Sequence, residues 1–99
     1  MAPSAVRAAG KIYTDAAGMQ QHDMPCALET SEIAGVINEY RQATANAVAA
    51  GFDGVELHCT SGYLPMQFLA ENTNLRTDTY GGSAANRARF AIEAVEAMA

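Results

Sequence analysis

His58, Ser61 and Tyr63 place an imidazole, a hydroxyl and a phenol within six consecutive positions. All three types can donate hydrogen bonds at neutral pH, since a phenol ordinarily titrates near ~10 and a serine hydroxyl not at all. Converging donors of this kind suit a ligand oxygen that gains negative charge during a reaction. The plainer reading of His58 is a histidine satisfied at the end of a strand. Cys59, His58, His22 and Cys26 invite a metal reading. It fails on geometry, because successive strand side chains point to opposite faces, and on spacing, because the ligands do not pair. Gly81-Gly82-Ser83 could offer free N–H groups to a phosphate. No lysine follows and no strand precedes it, so it reads as a tight turn with a helix N-cap. Asn74, Arg76, Asp78, Arg87 and Arg89 read as a polar network tying a loop to a helix, with a solvated charged face as the plainer reading of Arg87 and Arg89. Met24, Met66 and Met98 read as filler.

The elements that position these groups follow from pattern. Lys11–Thr14 has strand character, residues 15–18 signal a turn, and Met19–Met24 is expected to return as a second strand. Ile33, Val36, Ile37, Tyr40, Thr44 and Ala47 recur at helical spacing. Thr30 or Ser31 is the expected N-cap, with Glu29 and Glu32 on the favourable side of the helix dipole, and Gly51 the expected stop. Residues 53–58 read as a short strand entered directly from that helix, with His58 at its carboxyl end, where α/β folds bind ligands. Residues 59–82 form a long loop with a helical turn near Met66–Ala70, and loops of that length are functional or disordered. Tyr63, Leu64, Phe68, Leu69 and Tyr80 favour an ordered one. Ser83 is expected to cap a last helix carrying Phe90, Ala94, Val95 and Met98 on one side.

The order is hairpin, helix, strand, loop, helix, which is an α/β pattern. A single parallel strand cannot satisfy its own N–H and C=O groups, so the chain is expected to be a piece of something larger or to need partners. Its 99 residues make at most one small domain with a thin core. A hydrophobic fraction of 49% marks it as globular. The net charge of −5 leaves no footprint for nucleic acid and argues against a polybasic membrane contact. Two cysteines read as free thiols. No apolar run nears the ~20 residues that span a bilayer, and no secretory leader is evident, so a cytoplasmic location is expected.

Gly51-Phe52-Asp53-Gly54-Val55-Glu56-Leu57-His58, then Gly62-Tyr63-Leu64 and Gln67-Phe68-Leu69, resemble the old yellow enzyme family. So do residues 74–83 (NLRTDTYGGS) and Asn86-Arg87-Ala88-Arg89-Phe90, with Ala2-Pro3-Ser4-Ala5 and Leu28-Glu29 to Ile33 fitting the same pattern. The resemblance implies that residues 1–99 are part of a (β/α)8 TIM barrel, truncated at both ends, that binds FMN and is reduced by NAD(P)H. It implies reduction of the C=C bond of a small α,β-unsaturated carbonyl or nitro compound. His58 would hold the substrate's carbonyl oxygen and lie near the flavin, and Tyr63 would deliver the proton. Ser61 departs from the pattern, standing where the family usually has Asn or His, and puts substrate range in doubt. The other reading of the chain is an inactive barrel fragment, unfolded alone or self-associating.

Overall fold

The computed structural model describes residues 1–99. β1 (Lys11–Thr14) and β2 (Gly18–Gln21) form an antiparallel hairpin with Lys11 opposite Gln21 and Thr14 opposite Gly18. The turn closes because Thr14 Oγ1 accepts from the Ala17 N–H at 3.2 Å and Gly18 takes a positive φ of 67°. The second strand is shorter than expected and stops at Gln21. Pairing ends where β1 offers no further partner.

α1 (Thr30–Ala49) carries the helical stripe read from the sequence. Ile33 is fully buried, while Val36, Ile37 and Tyr40 pack around it. Its N-cap is Glu29, not Thr30 or Ser31. Glu32 reaches back to accept the Glu29 N–H at 2.7 Å, half of a capping box. The Thr30 hydroxyl is spent elsewhere, donating to Asp78 Oδ2 at 2.6 Å. At the other end Gly51 adopts φ 95° and its N–H bonds the Val48 carbonyl at 3.0 Å, the left-handed stop a glycine supplies.

α2 (Leu64–Leu69) and α3 (Ala84–Met98) complete the chain. Ser83 caps α3 as its type predicts, its Oγ accepting from the Asn86 N–H at 3.2 Å. α3 packs against both α1 and α2. The centre of that packing is a stack of Phe68 on Phe90, centroids 4.2 Å apart and planes 7° from parallel. Leu28 and Ile33 join them, and Tyr40 meets Phe90 edge-on at 6.1 Å. Ala94 is buried beside Phe90, but Val95 is half exposed, so the inner face of α3 is narrower than its sequence implies.

Residues 53–58 differ most from expectation. They form no strand, and none of residues 53–59 makes a backbone–backbone hydrogen bond. The reason is the one that argued for missing neighbours: a parallel strand exists only as part of a sheet. The exposed surface tells the same story. It measures 6568 Å2, against ~5400 Å2 expected for a folded monomer of 10.4 kDa. The radius of gyration is 15.1 Å, where a compact chain of this length gives ~12.6 Å. Val48, Phe52, Val55, Ile92 and Val95 are all exposed. No helix is long and apolar enough to cross a membrane.

Candidate active site

The extended segment 53–58 delivers His58 to the mouth of a turn that runs into α2. Two consecutive residues make the turn: Ser61 at φ 58° and Gly62 at φ 77°. Glycine accepts that conformation freely, but for serine it is uncommon. The turn is closed by the Tyr63 N–H bonding the Thr60 carbonyl at 3.3 Å. Tyr63 is the N-cap residue of α2, and Pro65 in the first turn of that helix suits the short element that follows.

The outcome is a close pair of rings. The His58 imidazole and the Tyr63 phenol lie with centroids 5.3 Å apart, tilted by 58°. Both are exposed, Tyr63 by 62%. They share the wall of a cavity of about 510 Å3 with Tyr40, Thr44, Leu57 and Met98. Burial pushes the Tyr40 phenol above its ordinary pKa, with further upward push from Cys59 and Glu39. Ser61 is not on that wall. It is joined to His58 through a residue not singled out in the sequence, Thr60. The Thr60 hydroxyl lies 3.3 Å from His58 Nε2 and 3.4 Å from Ser61 Oγ. Thr60 left no signal, because a single hydroxyl between two better candidates looks like spacing.

The polar loop is a network, as its residues predicted. Arg76 donates to both oxygens of Asp78, to the Pro3 carbonyl at 2.9 Å, and to the Leu28 carbonyl. This pairing holds the Asp78 carboxyl well below the usual carboxylate range, the Arg76 hydrogen bonds contributing most. Asn74 is buried and gives its amide to the carbonyls of Phe68 at 2.6 Å and Tyr80 at 2.8 Å. Arg87 donates to the Leu69 carbonyl at 2.8 Å and pairs with Glu71 at 3.0 Å. Arg89 donates to the Thr79 carbonyl at 2.8 Å. The Gly81-Gly82-Ser83 turn is engaged too: the Gly81 N–H bonds the Asp78 carbonyl at 3.1 Å, and Ser83 spends its hydroxyl on the cap. His22 stands apart from His58, on the wall of a second cavity formed by the N-terminal segment. Cys26 and Cys59 are free thiols.

The chain as a whole has counterparts in known proteins. The model of the NADH:flavin oxidoreductase / NADH oxidase family matches residues 2–99. 12-Oxophytodienoate reductase 1 of Oryza sativa subsp. japonica is 48% identical over 88 residues, covering 89% of this chain and 23% of the relative. Morphinone reductase aligns in structure over 98% of this chain and 27% of its own, with TM-score 0.89 and 48% identity. The old yellow enzyme homologue of Zymomonas mobilis aligns over the same shares with TM-score 0.92 and 39% identity. The chain thus spans about a quarter of the length of the relatives it matches. Its conformation is that of one segment of an old yellow enzyme TIM barrel, which accounts for the unpaired residues 53–58 and the exposed apolar side chains beside them. The chain belongs to the NADH:flavin oxidoreductase / NADH oxidase family, the old yellow enzymes.

Proposed function

We propose that this segment carries the substrate-activating residues of an FMN-dependent NAD(P)H oxidoreductase that reduces the C=C bond of α,β-unsaturated carbonyl or nitro compounds. The observation that carries the reading is the His58–Tyr63 ring pair, two exposed groups at the exit of residues 53–58 in a chain of this family. The donor set fits the substrate side of a flavin site, since the imidazole, hydroxyl and phenol make no bond to backbone. The Arg87 and Arg89 guanidiniums do not fit a phosphate, being already spent on carbonyls and on Glu71. Of this chain's residues, His58 would be the one near the flavin when FMN is bound.

FMN, when bound, supplies the hydride, and NAD(P)H replenishes it. The work of this chain is at the other end of the double bond. His58 holds the carbonyl or nitro oxygen and stabilises charge as it builds there. Losing one such donor costs ~2.7–4 kcal/mol of barrier. Ser61 reaches the same oxygen less directly, its short arm tied to His58 through Thr60. Tyr63 keeps a proton on its phenol oxygen and gives it to the α-carbon, a role suited to a neutral acid.

The test separates the two half-reactions in the FMN-loaded enzyme that contains these residues. Tyr63→Phe should slow alkene reduction by about a hundredfold or more while flavin reduction by NAD(P)H keeps its rate. Unchanged rates in both would remove Tyr63 from the role of acid.

A second reading concerns the 99 residues alone. The exposed Val48, Phe52, Val55, Ile92 and Val95, together with the unpaired segment 53–58, favour self-association without catalysis. Sedimentation decides it, and a stable monomer with cooperative unfolding counts against it.

A further inference from the structure

We propose that Gln67 is a positioning residue for Tyr63, holding the phenol at the reacting carbon by clasping the two carbonyls that flank the tyrosine. The inference rests on the reading of Tyr63 as the proton donor. Gln67 Nε2 donates to the Gly62 carbonyl at 2.6 Å, and its backbone N–H donates to the Tyr63 carbonyl at 2.9 Å. One residue therefore fixes the peptide before Tyr63 and the peptide after it. Met66 adds a third hold, its Sδ accepting the Gly62 N–H at 3.2 Å.

The turn needs holding. Ser61 and Gly62 are both left-handed, and the serine is the one for which that conformation costs energy. If the Gly62–Tyr63 peptide rotates, the turn can relax. The phenol lies at the far end of the side chain, so a modest rotation carries it away from the His58 ring, now 5.3 Å distant. The position matters because proton delivery depends on alignment within about an ångström.

The glutamine is also an expensive choice for packing. Its Oε1 is buried with no hydrogen-bond partner. An apolar side chain of like volume at the first turn of α2 would bury no orphan acceptor. What the amide adds is the bond to Gly62. That bond also fixes which end of the amide faces Gly62, since only the nitrogen can donate to a carbonyl.

Gln67→Glu tests the idea in the FMN-loaded enzyme, because an ionised carboxylate cannot donate to Gly62 and a protonated one can. Relative to the native enzyme, alkene reduction at neutral pH should fall about 10- to 100-fold with flavin reduction by NAD(P)H unchanged. The deficit should shrink as pH falls and the carboxyl, which ordinarily titrates near ~4.3, takes up its proton. Gln67→Met lacks a donor at every pH and should show the same loss with no recovery. Loss of both half-reactions together, no recovery in Gln67→Glu, or recovery in Gln67→Met would overturn the proposal. A readout free of catalysis uses the same enzyme: the His58 ring-proton NMR shifts, set partly by the Tyr63 ring, should move in Gln67→Met. Unmoved shifts, or collapse of the helical circular dichroism, would assign Gln67 to structure alone. Tyr63→Phe keeps the two readings apart. If it fails to slow alkene reduction, the proton-donor reading falls and this one with it. If it does and the Gln67 variants do not, only the positioning role falls.

Discussion

The Arg76 guanidinium grips the carboxylate of Asp78, two residues on, with Nε 3.0 Å from Oδ1 and 3.1 Å from Oδ2. The rest of its fork reaches back to the start of the chain, to the carbonyls of Pro3 and Leu28 and the hydroxyl of Thr30. Its side chain is only 9% exposed. Lysine cannot reproduce a planar fork with five donors. Arg76→Lys should therefore destabilise the fold by ~3 kcal/mol, as breaking a buried pair does, seen as a lower urea midpoint. A midpoint unchanged from native would show the network to be ornamental.

Asp78 gives the acid limb of stability a direction. Its folded pKa lies below the unfolded value of ~3.9, so its contribution is present above that value and is lost as pH falls toward the folded one. Thermal midpoints measured from pH 6 down to about 2 should drop steeply in the native chain. Asp78→Asn should start lower and show a shallower drop across that window. Parallel curves would mean that other carboxyls dominate.

Tyr80 sets the alkaline side. Its phenol donates to Glu93 Oε2 at 2.7 Å, and burial, then that bond, pushes its pKa up to about 12. A raised phenol pKa stabilises the fold below the unfolded value of ~10 and is lost as pH rises through the folded one. Ultraviolet titration of the four tyrosines should show Tyr80 ionising above the ordinary phenol range, and Glu93→Gln should bring it earlier. No change in Glu93→Gln would leave burial as the whole cause.

Gly81 has no room for a side chain. A Cβ there would overlap the Arg76 carbonyl oxygen, which is backbone and cannot swing aside. Gly81→Ala should cost ~1–3 kcal/mol through forced backbone movement. Gly82→Ala, with open space around it but φ 80°, should cost less. Equal losses at the two positions would contradict the steric account.

Ser61→Asn tests the departure from the family pattern. Asparagine tolerates the left-handed conformation better than serine and carries a longer donor arm. In the FMN-loaded enzyme KM for an enone should fall about three- to tenfold, the worth of one hydrogen bond, with no loss in thermal midpoint. An unchanged KM would mean that the substrate oxygen is held without this position.

Much of this was readable in one dimension because it is local. The α1 stripe from Ile33 to Tyr40, the Gly51 stop and the Ser83 cap each depend on neighbours within a turn or two. Thr30 shows the limit: its type marks a cap, but its hydroxyl is claimed by Asp78, 48 residues away. Arg76 to Pro3 spans 73 residues and carries no sequence signal at all. Residues 53–58 read as a strand by pattern and family, and in this chain stay unpaired, because strand formation belongs to the sheet rather than to the segment. His58 and Tyr63 were legible as types and spacing. Thr60 and Gln67 were not, since what singles them out is the atoms they reach: the side chains of His58 and Ser61 for Thr60, the Gly62 carbonyl for Gln67.

The loop network has a structural independence of its own. Asn74, Arg76, Arg87 and Arg89 are anchored to carbonyls of residues 3, 28, 68, 69, 79, 80 and 82, and none of these bonds touches residues 53–58. The loop's hold therefore owes nothing to the extended residues that lead into it. Because Arg76 also grips the carbonyls of Pro3 and Leu28, the loop is bound into one unit with the N-terminal segment, and residues 59–90 keep this form only in its company.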